Sequence, residues 1–234
     1  MEKNEKILNQ YKILVDFLGH TLGSGYEIVL HDVRTPEAGI VAIANGSVSG
    51  RGIGSPMTDK ALQMAAQGEY QRSDYLVNYA GRIPNGKLIR SSTMFIKDDD
   101  GNLIGMLCVN FDDSQYQDLA KRLSDLIHPK EYSFSESREE PSAVMEFHET
   151  GAKDAEQFHN NPDDLIESIF HKATEKYDIS LDRLTQDERV EIIRQLKDNG
   201  LFQLKGAIPY VAERLFCSTA SVYRYIGKIG REGL

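Results

Sequence analysis

Apolar residues in the first half of the chain recur with two different periods. From Glu5 to Leu22 they are spaced three and four positions apart, which predicts an amphipathic helix with one buried face. Beyond it, runs rich in β-branched and aromatic residues alternate with turn-forming Gly, Asn and Pro, a pattern typical of strands in an antiparallel sheet. Strands are predicted over 26–32, 39–44, 75–80, 87–97 and 103–111, and helices over 58–67 and 114–127.

The pattern changes near position 128. Residues 129–162 combine many Glu, Ser, His and Asn with few large apolar side chains, and this composition predicts an acidic flexible linker. After it only the helical period remains, and Thr185 with Glu188 has the spacing of a capping box. The sequence therefore predicts an α+β domain with an antiparallel sheet at 1–128, the linker, and an all-α bundle of about four helices at 163–234.

Positions 206–229 are predicted to form two short helices joined by a tight turn. Pro209 suits the first turn of the first helix, and Ser218 or Thr219 can cap the second by accepting a backbone hydrogen bond. Phe216 occupies the turn position where glycine is usual, which predicts a variant turn shape. A helix, a short turn and a capped second helix follow one another in a DNA-reading helix-turn-helix.

Charge supports this interpretation, because it is unevenly placed. The chain has a formal net charge of −9, yet from Asp182 onward nine basic residues outnumber seven acidic ones. An ordinary helical hairpin with a solvated basic face, used for protein interaction, is the competing interpretation. Under the DNA interpretation, contacts to base edges are assigned to Thr219, Ser221 and Arg224, and contacts to phosphates to Ser218, Tyr223 and Lys228.

The long predicted hairpin at 87–111 carries polar residues in a mostly apolar sheet. Alternation places Arg90 and Ser92 on one face of their strand, and Cys108 and Asn110 on one face of the next. If all four face the same side, they form a polar patch that a small polar effector could satisfy, since buried polar groups need hydrogen-bond partners. A hydrogen-bonded core network or an edge facing water explains the same pattern, and the sequence leaves the choice open.

Few other residues indicate a catalytic or metal-binding site. Cys108 and Cys217 are far apart and belong to no metal-binding motif, so neither a metal site nor a cofactor is predicted. A nucleophile–base pair of Cys108 with His31 is the enzymatic alternative, but no third residue orients it, and no catalytic residue is predicted. No apolar run approaches the roughly 20 residues of a membrane span, and the first residues do not resemble a signal peptide, so we expect a cytoplasmic protein.

Several segments resemble a family of bacterial regulators. Similarity to the PAS-like sensor domain of YheO-type regulators is carried by EIVLHD at 27–32, NGSVSGRGIG at 45–54, NYAGRIPNGKLIRSSTMF at 78–95 and GMLCVNFD at 105–112. Similarity to the DauR-type helix-turn-helix is carried by NGLFQLKGAIPYVAERL at 199–215 and STASVYRYI at 218–226. The resemblance implies a transcriptional regulator with a PAS-type sheet, which acts as a homodimer on double-stranded DNA and takes a small effector.

Overall fold

The computed structural model describes residues 2–34, 39–127, 155–177 and 179–232. The helices are α1 (Glu2–Leu22), α2 (Asp59–Ala66), α3 (Ser114–Ile127), α4 (Pro162–Thr174), α5 (Gln186–Asp198), α6 (Ala207–Arg214) and α7 (Thr219–Glu232). The strands are β1 (Tyr26–Asp32), β2 (Gly39–Ala44), β3 (Tyr75–Arg82), β4 (Leu88–Lys97), β5 (Leu103–Phe111) and β6 (Glu156–Gln157). A sheet with helices is followed by helices alone, which confirms the predicted α+β class.

The six strands form one sheet in the order β2-β1-β5-β4-β3-β6. Its neighbours are antiparallel except β3 and β6, which are parallel. Residues that pair across strands share a face of the sheet, so Val29, Cys108 and Thr93 lie side by side on what we call the inner face. The opposite, outer face is covered by α1, whose Leu8 and Val15 are buried with apolar residues of the sheet.

The inner face and the C-terminal helices share one continuous apolar core. Leu62 of α2 belongs to the same cluster of buried residues as Ile193 of α5 and Val222 of α7. Gly200 marks the closest approach, because a Cβ placed on it would lie 2.9 Å from the carbonyl oxygen of Leu62. An ion pair of 2.5 Å between Lys172 Nζ and Asp59 Oδ2 also joins α4 to α2. The sheet-containing part and the helical part are therefore packed against each other.

Local signals set the ends of the C-terminal helices. Asn161 accepts a hydrogen bond from the Asp164 amide at the start of α4, where Pro162 occupies the first turn. The predicted capping box is present, since the side chains of Thr185 and Glu188 each bond to the other's backbone amide at the start of α5. The predicted bundle of four helices thus corresponds to α4 through α7.

The predicted linker at 129–162 ends earlier than its composition indicates. Residues 129–154 lie outside the described residues, but residues 155–158, which we call the strap, are placed against the sheet. Glu156 pairs with Gly81 at the edge of β3, and Glu156 and Phe158 are 3% and 4% exposed. A polar composition predicts exposure, whereas here the charged side chain is buried together with its aromatic neighbour. The remaining domain bounds stay predictions.

Candidate nucleic-acid interface and sensor interior

The turn between α6 and α7 has the geometry that glycine usually adopts at this position. The Cys217 amide donates to the Ala212 carbonyl at 2.9 Å, and the Phe216 amide donates to the Glu213 carbonyl at 3.2 Å. These are the two hydrogen bonds of the Schellman motif that ends many helices. Phe216 accepts the left-handed conformation, with φ of 52°, to make them. The prediction of a variant turn is therefore wrong, because the hydrogen bonds hold the backbone in its usual shape despite the side chain.

We expect Phe216→Gly to stabilise the protein by about 1 kcal/mol, since a left-handed L-residue costs roughly 1–2 kcal/mol and glycine does not. The ring is 66% exposed, so its removal sacrifices little packing. Urea unfolding followed by circular dichroism measures the change. Phe216→Ala is the matched control, because it removes the ring and keeps the backbone strain. A glycine variant no more stable than the alanine variant would contradict the prediction.

The two faces of α7 separate apolar from polar residues as the sequence predicts. Val222, Tyr225 and Ile229 are buried against the bundle. The six residues assigned to DNA contact lie outside that core; Ser221 is half-buried, and the other five are exposed, namely Ser218, Thr219, Tyr223, Arg224 and Lys228. The structure therefore brings the six residues together on the surface, and their roles on DNA stay predictions.

The start of α7 is organised by a hydroxyl pair. The Ser218 hydroxyl accepts a hydrogen bond from the Ser221 amide at 3.1 Å, which makes Ser218 the cap of the helix. The two hydroxyl oxygens, Ser218 Oγ and Ser221 Oγ, are 3.0 Å apart. One turn further along, the guanidinium of Arg224 lies 5.4 Å from the Tyr225 ring centroid. No acidic residue occurs in the first turn of α7, so this end of the helix favours an anion such as phosphate.

The predicted effector patch is not formed as one surface. In the register of β4 and β5, Arg90 pairs with Phe111 and Ser92 pairs with Val109, which places both on the outer face. Asn110 pairs with Ser91, and Cys108 pairs with Thr93, which places these on the inner face. The prediction that Arg90, Ser92, Cys108 and Asn110 face the same side is therefore wrong. Alternation along each strand does not determine the register between the two strands, and the register decides which residues share a face.

Arg90 and Ser92 instead support an irregularity of β3. Asn78 interrupts the strand with a left-handed φ of 59°, and its backbone amide donates a hydrogen bond to Ser92 Oγ at 3.1 Å. Arg90 Nη1 donates to Asn78 Oδ1 at 3.2 Å, and the guanidinium lies 5.1 Å from the Phe111 ring centroid. Both hydrogen bonds are exposed to solvent, so Arg90 and Ser92 stabilise this irregularity of β3 on the outer face of the sheet.

The inner face carries a polar network that the sequence patterns did not identify. Glu27, fully buried on β1, accepts hydrogen bonds from Ser49 Oγ at 2.5 Å and from Asn110 Nδ2 at 2.8 Å. Arg51 Nη2 lies 3.4 Å from Glu27 Oε1, and its side chain is 1% exposed. Arg51 belongs to the glycine-rich segment at 50–54. An ionic residue surrounded by glycines was the one available signal.

The strap completes this network from the other side. The Thr58 hydroxyl donates to Glu156 Oε1, and the Arg51 guanidinium lies 4.5 Å from the Phe158 ring centroid. Burial raises the pKa of Glu156 to about 7, and the Thr58 hydrogen bond and the Arg51 charge limit the rise. Among the described residues, the buried Arg51 Nη1 lacks a hydrogen-bond partner, and the Ser91 hydroxyl lies near the Glu156 carboxyl group without a well-formed hydrogen bond to it.

The burial of both Cys108 and His31 opposes the enzymatic alternative. Burial raises the pKa of the Cys108 thiol to about 12, with a further contribution from the charge of Glu156, whereas a nucleophilic cysteine needs a lowered pKa. Burial, together with the Arg51 charge, lowers the pKa of His31 to about 3. Across the part of the chain that is described, no cluster of metal-ligating side chains occurs. Within the same residues, no helix is both long and apolar enough to cross a membrane.

Comparison with known proteins agrees with this geometry. Residues 1–128 match the model of the YheO-like PAS domain, and residues 165–227 match the model of an HTH domain. A PAS-like domain joined to a helix-turn-helix with an exposed polar face defines a DNA-binding transcriptional regulator. More particularly, the chain belongs to the family of the YheO-like PAS domain.

Relatives share both parts of the chain. An uncharacterized protein of Haemophilus influenzae is 30% identical over 99% of this chain and 95% of its own length. The protein YheO of Escherichia coli K12 is 30% identical over 94% of this chain and 83% of its own length. The transcriptional regulator DauR of Pseudomonas aeruginosa is 24% identical over 97% of this chain and 96% of its own length.

Proposed function

We propose that the protein is a one-component regulator that reads an operator as a homodimer and is controlled through its sensor domain. The observation that carries the proposal is the exposed, hydroxyl-bearing and basic face of α7, held by a core that continues into the sensor. A signal that alters the sensor therefore has a packed route to the reading helix. The protein works in the cytoplasm and has no catalytic role, since its regulatory output needs only binding.

Operator reading is proposed to follow the division of the α7 surface. Thr219, Ser221 and Arg224 reach base edges in the major groove, where a guanidinium can bind guanine through two hydrogen bonds. Ser218, Tyr223 and Lys228 flank them and contact phosphates, which fix the helix without reading sequence. A relative named as a transcriptional regulator, DauR, supports this output for the present chain.

We expect Arg224→Ala to weaken operator binding by roughly 5- to 150-fold, which corresponds to about 1–3 kcal/mol for one base-reading arginine. The operator is first selected from a randomised duplex library with the wild-type protein, and binding is then measured by gel-shift titration. The titration is repeated at two salt concentrations, because the loss of a phosphate contact would reduce the salt dependence of the affinity.

Arg72→Ala is the matched control for Arg224→Ala. Arg72 is an exposed cation of the sensor domain, so its loss changes the net charge equally without touching α7. The control is expected to bind the operator within about twofold of the wild type. Equal affinities of the Arg224 variant and the wild type would refute the base-reading role.

The homodimer is proposed to form through α3. None of its residues is buried, and four of its large apolar side chains are spaced by three, four and three positions, namely Tyr116, Leu119, Leu123 and Leu126. This spacing is the a/d pattern of a coiled-coil seam, which a second copy of the same helix complements. The four side chains are between 56% and 80% exposed, so most of their apolar surface is available to a second copy. A homodimer presents two copies of α7, and the half-sites that such dimers read lie about 34–36 Å apart.

A further inference from the structure

The strap enters the sensor as an insert rather than as a full strand. Only two of its residues pair with β3, and the Phe158 amide adds one hydrogen bond of 3.3 Å to the Arg82 carbonyl. Parallel pairing of this length contributes little by itself. What holds the strap is the burial of its side chains, above all the Glu156 carboxyl group and the Phe158 ring.

Together, the two buried side chains of the strap present the two groups of a small aromatic carboxylate, namely a carboxyl group and an aromatic ring. Residues two apart on an extended chain point to the same side, about 6.6 Å from each other, so the carboxyl group and the ring enter the interior together. There Thr58 donates to the carboxyl group, and the Arg51 guanidinium covers the ring at 4.5 Å from its centroid. The sensor interior thus already binds a carboxylate and a ring, supplied by its own chain.

This resident carboxylate leaves the site incompletely used. Among the described residues, Arg51 Nη1 is a buried donor without an acceptor, whereas the Ser91 hydroxyl lies near the Glu156 carboxyl group without a well-formed hydrogen bond to it. Ser91 Oγ lies close to the backbone with which the strap pairs, since it is 2.7 Å from where a Cβ on Gly81 would stand. A carboxylate that is not tethered to the strap backbone has more freedom to approach Arg51 Nη1 and to complete the hydrogen bond with Ser91.

We propose that the inner face of the sensor sheet is a binding site for a small-molecule carboxylate with an apolar or aromatic body, which takes the place of Glu156 and Phe158. Arg51 and Ser91 donate to the carboxylate of the ligand, and the space of the Phe158 ring receives its body. The strap then leaves the site, and Glu156 regains hydration. Its raised pKa, caused by burial, supports the exchange because the buried anion is disfavoured relative to the solvated one.

Displacement of the strap would reach the DNA-binding helices directly. Three residues separate Phe158 from the start of α4, the first helix of the bundle. Asp59 contacts both the strap and α4, since its Oδ1 accepts a hydrogen bond from the Gln157 backbone amide at 2.7 Å and its Oδ2 pairs with Lys172 in the last turn of α4. The proposal therefore deepens the effector role of the sensor and rests on the proposed regulator only for its consequence, not for the binding itself.

The experiment measures binding without DNA, so its failure is separate from a failure of the operator assay. The probe is 3-phenylpropanoate, and 3-phenylpropanamide is the uncharged control of the same shape. Isothermal titration calorimetry compares the wild type with the emptied variant Glu156→Ala/Phe158→Ala. We expect the emptied variant to bind the carboxylate at least tenfold more tightly than the wild type, because the internal competitor is gone. We also expect it to prefer the carboxylate to the amide at least tenfold.

Further variants identify the donors and guard against misfolding. Adding Arg51→Gln to the emptied variant is expected to abolish the preference for the carboxylate over the amide. If circular dichroism shows that the double variant is unfolded, Phe158→Ala alone is titrated, and a thermal midpoint raised by the carboxylate but not by the amide supports the site. A folded emptied variant that binds neither probe, or binds both equally, would overturn the proposal, as would a Phe158→Ala protein with the same midpoint in either probe.

Discussion

Replacing Leu119 and Leu123 by serine is expected to convert the protein from a dimer to a monomer. Full burial of an exposed leucine contributes roughly 1.5–3 kcal/mol, and these side chains are about 60% exposed in the protomer, so four leucines across the proposed interface amount to on the order of 5 kcal/mol. The change should cost the isolated protomer little, because both side chains are more than half exposed in it. Sedimentation velocity at micromolar concentration measures the conversion, and operator affinity should fall with it.

Two controls restrict the interpretation of this result to the apolar stripe. Lys121→Ser/Asp125→Ser changes two positions off the stripe of the same helix and keeps the net charge, so it should remain dimeric. Leu123→Cys in a Cys217→Ser background should cross-link between protomers under mild oxidation, because the a positions of parallel helices meet. Lys121→Cys in the same background should not. A monomeric wild type, or equal cross-linking at both positions, would contradict the proposed interface.

Gly200→Ala is expected to destabilise the protein by about 3 kcal/mol, because two separate costs coincide there. Its φ of +76° is left-handed, and the added Cβ would lie 2.9 Å from the carbonyl oxygen and 3.2 Å from the carbonyl carbon of Leu62. Backbone atoms cannot rotate away as a side chain can, so α5 and α2 must separate. Urea unfolding followed by circular dichroism measures the loss of stability.

Gly206→Ala separates the two costs. Gly206 has a similar φ of +88°, but a Cβ on it would have no neighbour within 4 Å among the described residues. This variant should therefore lose only the roughly 1–2 kcal/mol of the left-handed conformation. The difference between the two variants reports the contact between the sensor and the helical bundle. An equal loss in the free energy of unfolding for both variants would show that this contact does not contribute to stability.

Hydrophobic periodicity alone predicted most elements of the fold. The helix of residues 5–22, the strand of 26–32 and the hairpin of 87–111 were all predicted from spacing, because each depends on neighbours only a few residues away. The polar face of α7 followed from the same reasoning, since Val222, Tyr225 and Ile229 had to face the bundle. Its contacts with DNA await experiment.

The sensor interior could not be predicted in this way. Whether Arg90 and Asn110 share a face depends on the register between two strands, and a shift of one residue reverses every side chain. Glu27 and Arg51 lie 24 positions apart in the chain. Each is a charged residue of the kind that usually lies on the surface, and its burial is favourable only because the other is buried beside it. Glu156 belonged to a segment whose acidity predicted exposure, and only the fold supplied Thr58 as its partner.

The sequence by itself determined the class of the two domains, their order along the chain and the side of the last helix that faces outward, because capping, helical period and strand alternation are local properties. The tertiary structure decided which polar groups are buried together, where the strap inserts and how closely the bundle packs on α2, because these depend on residues far apart in the chain. Long-range pairing brings Glu27, Arg51 and Glu156 into one network, and no local pattern records that meeting.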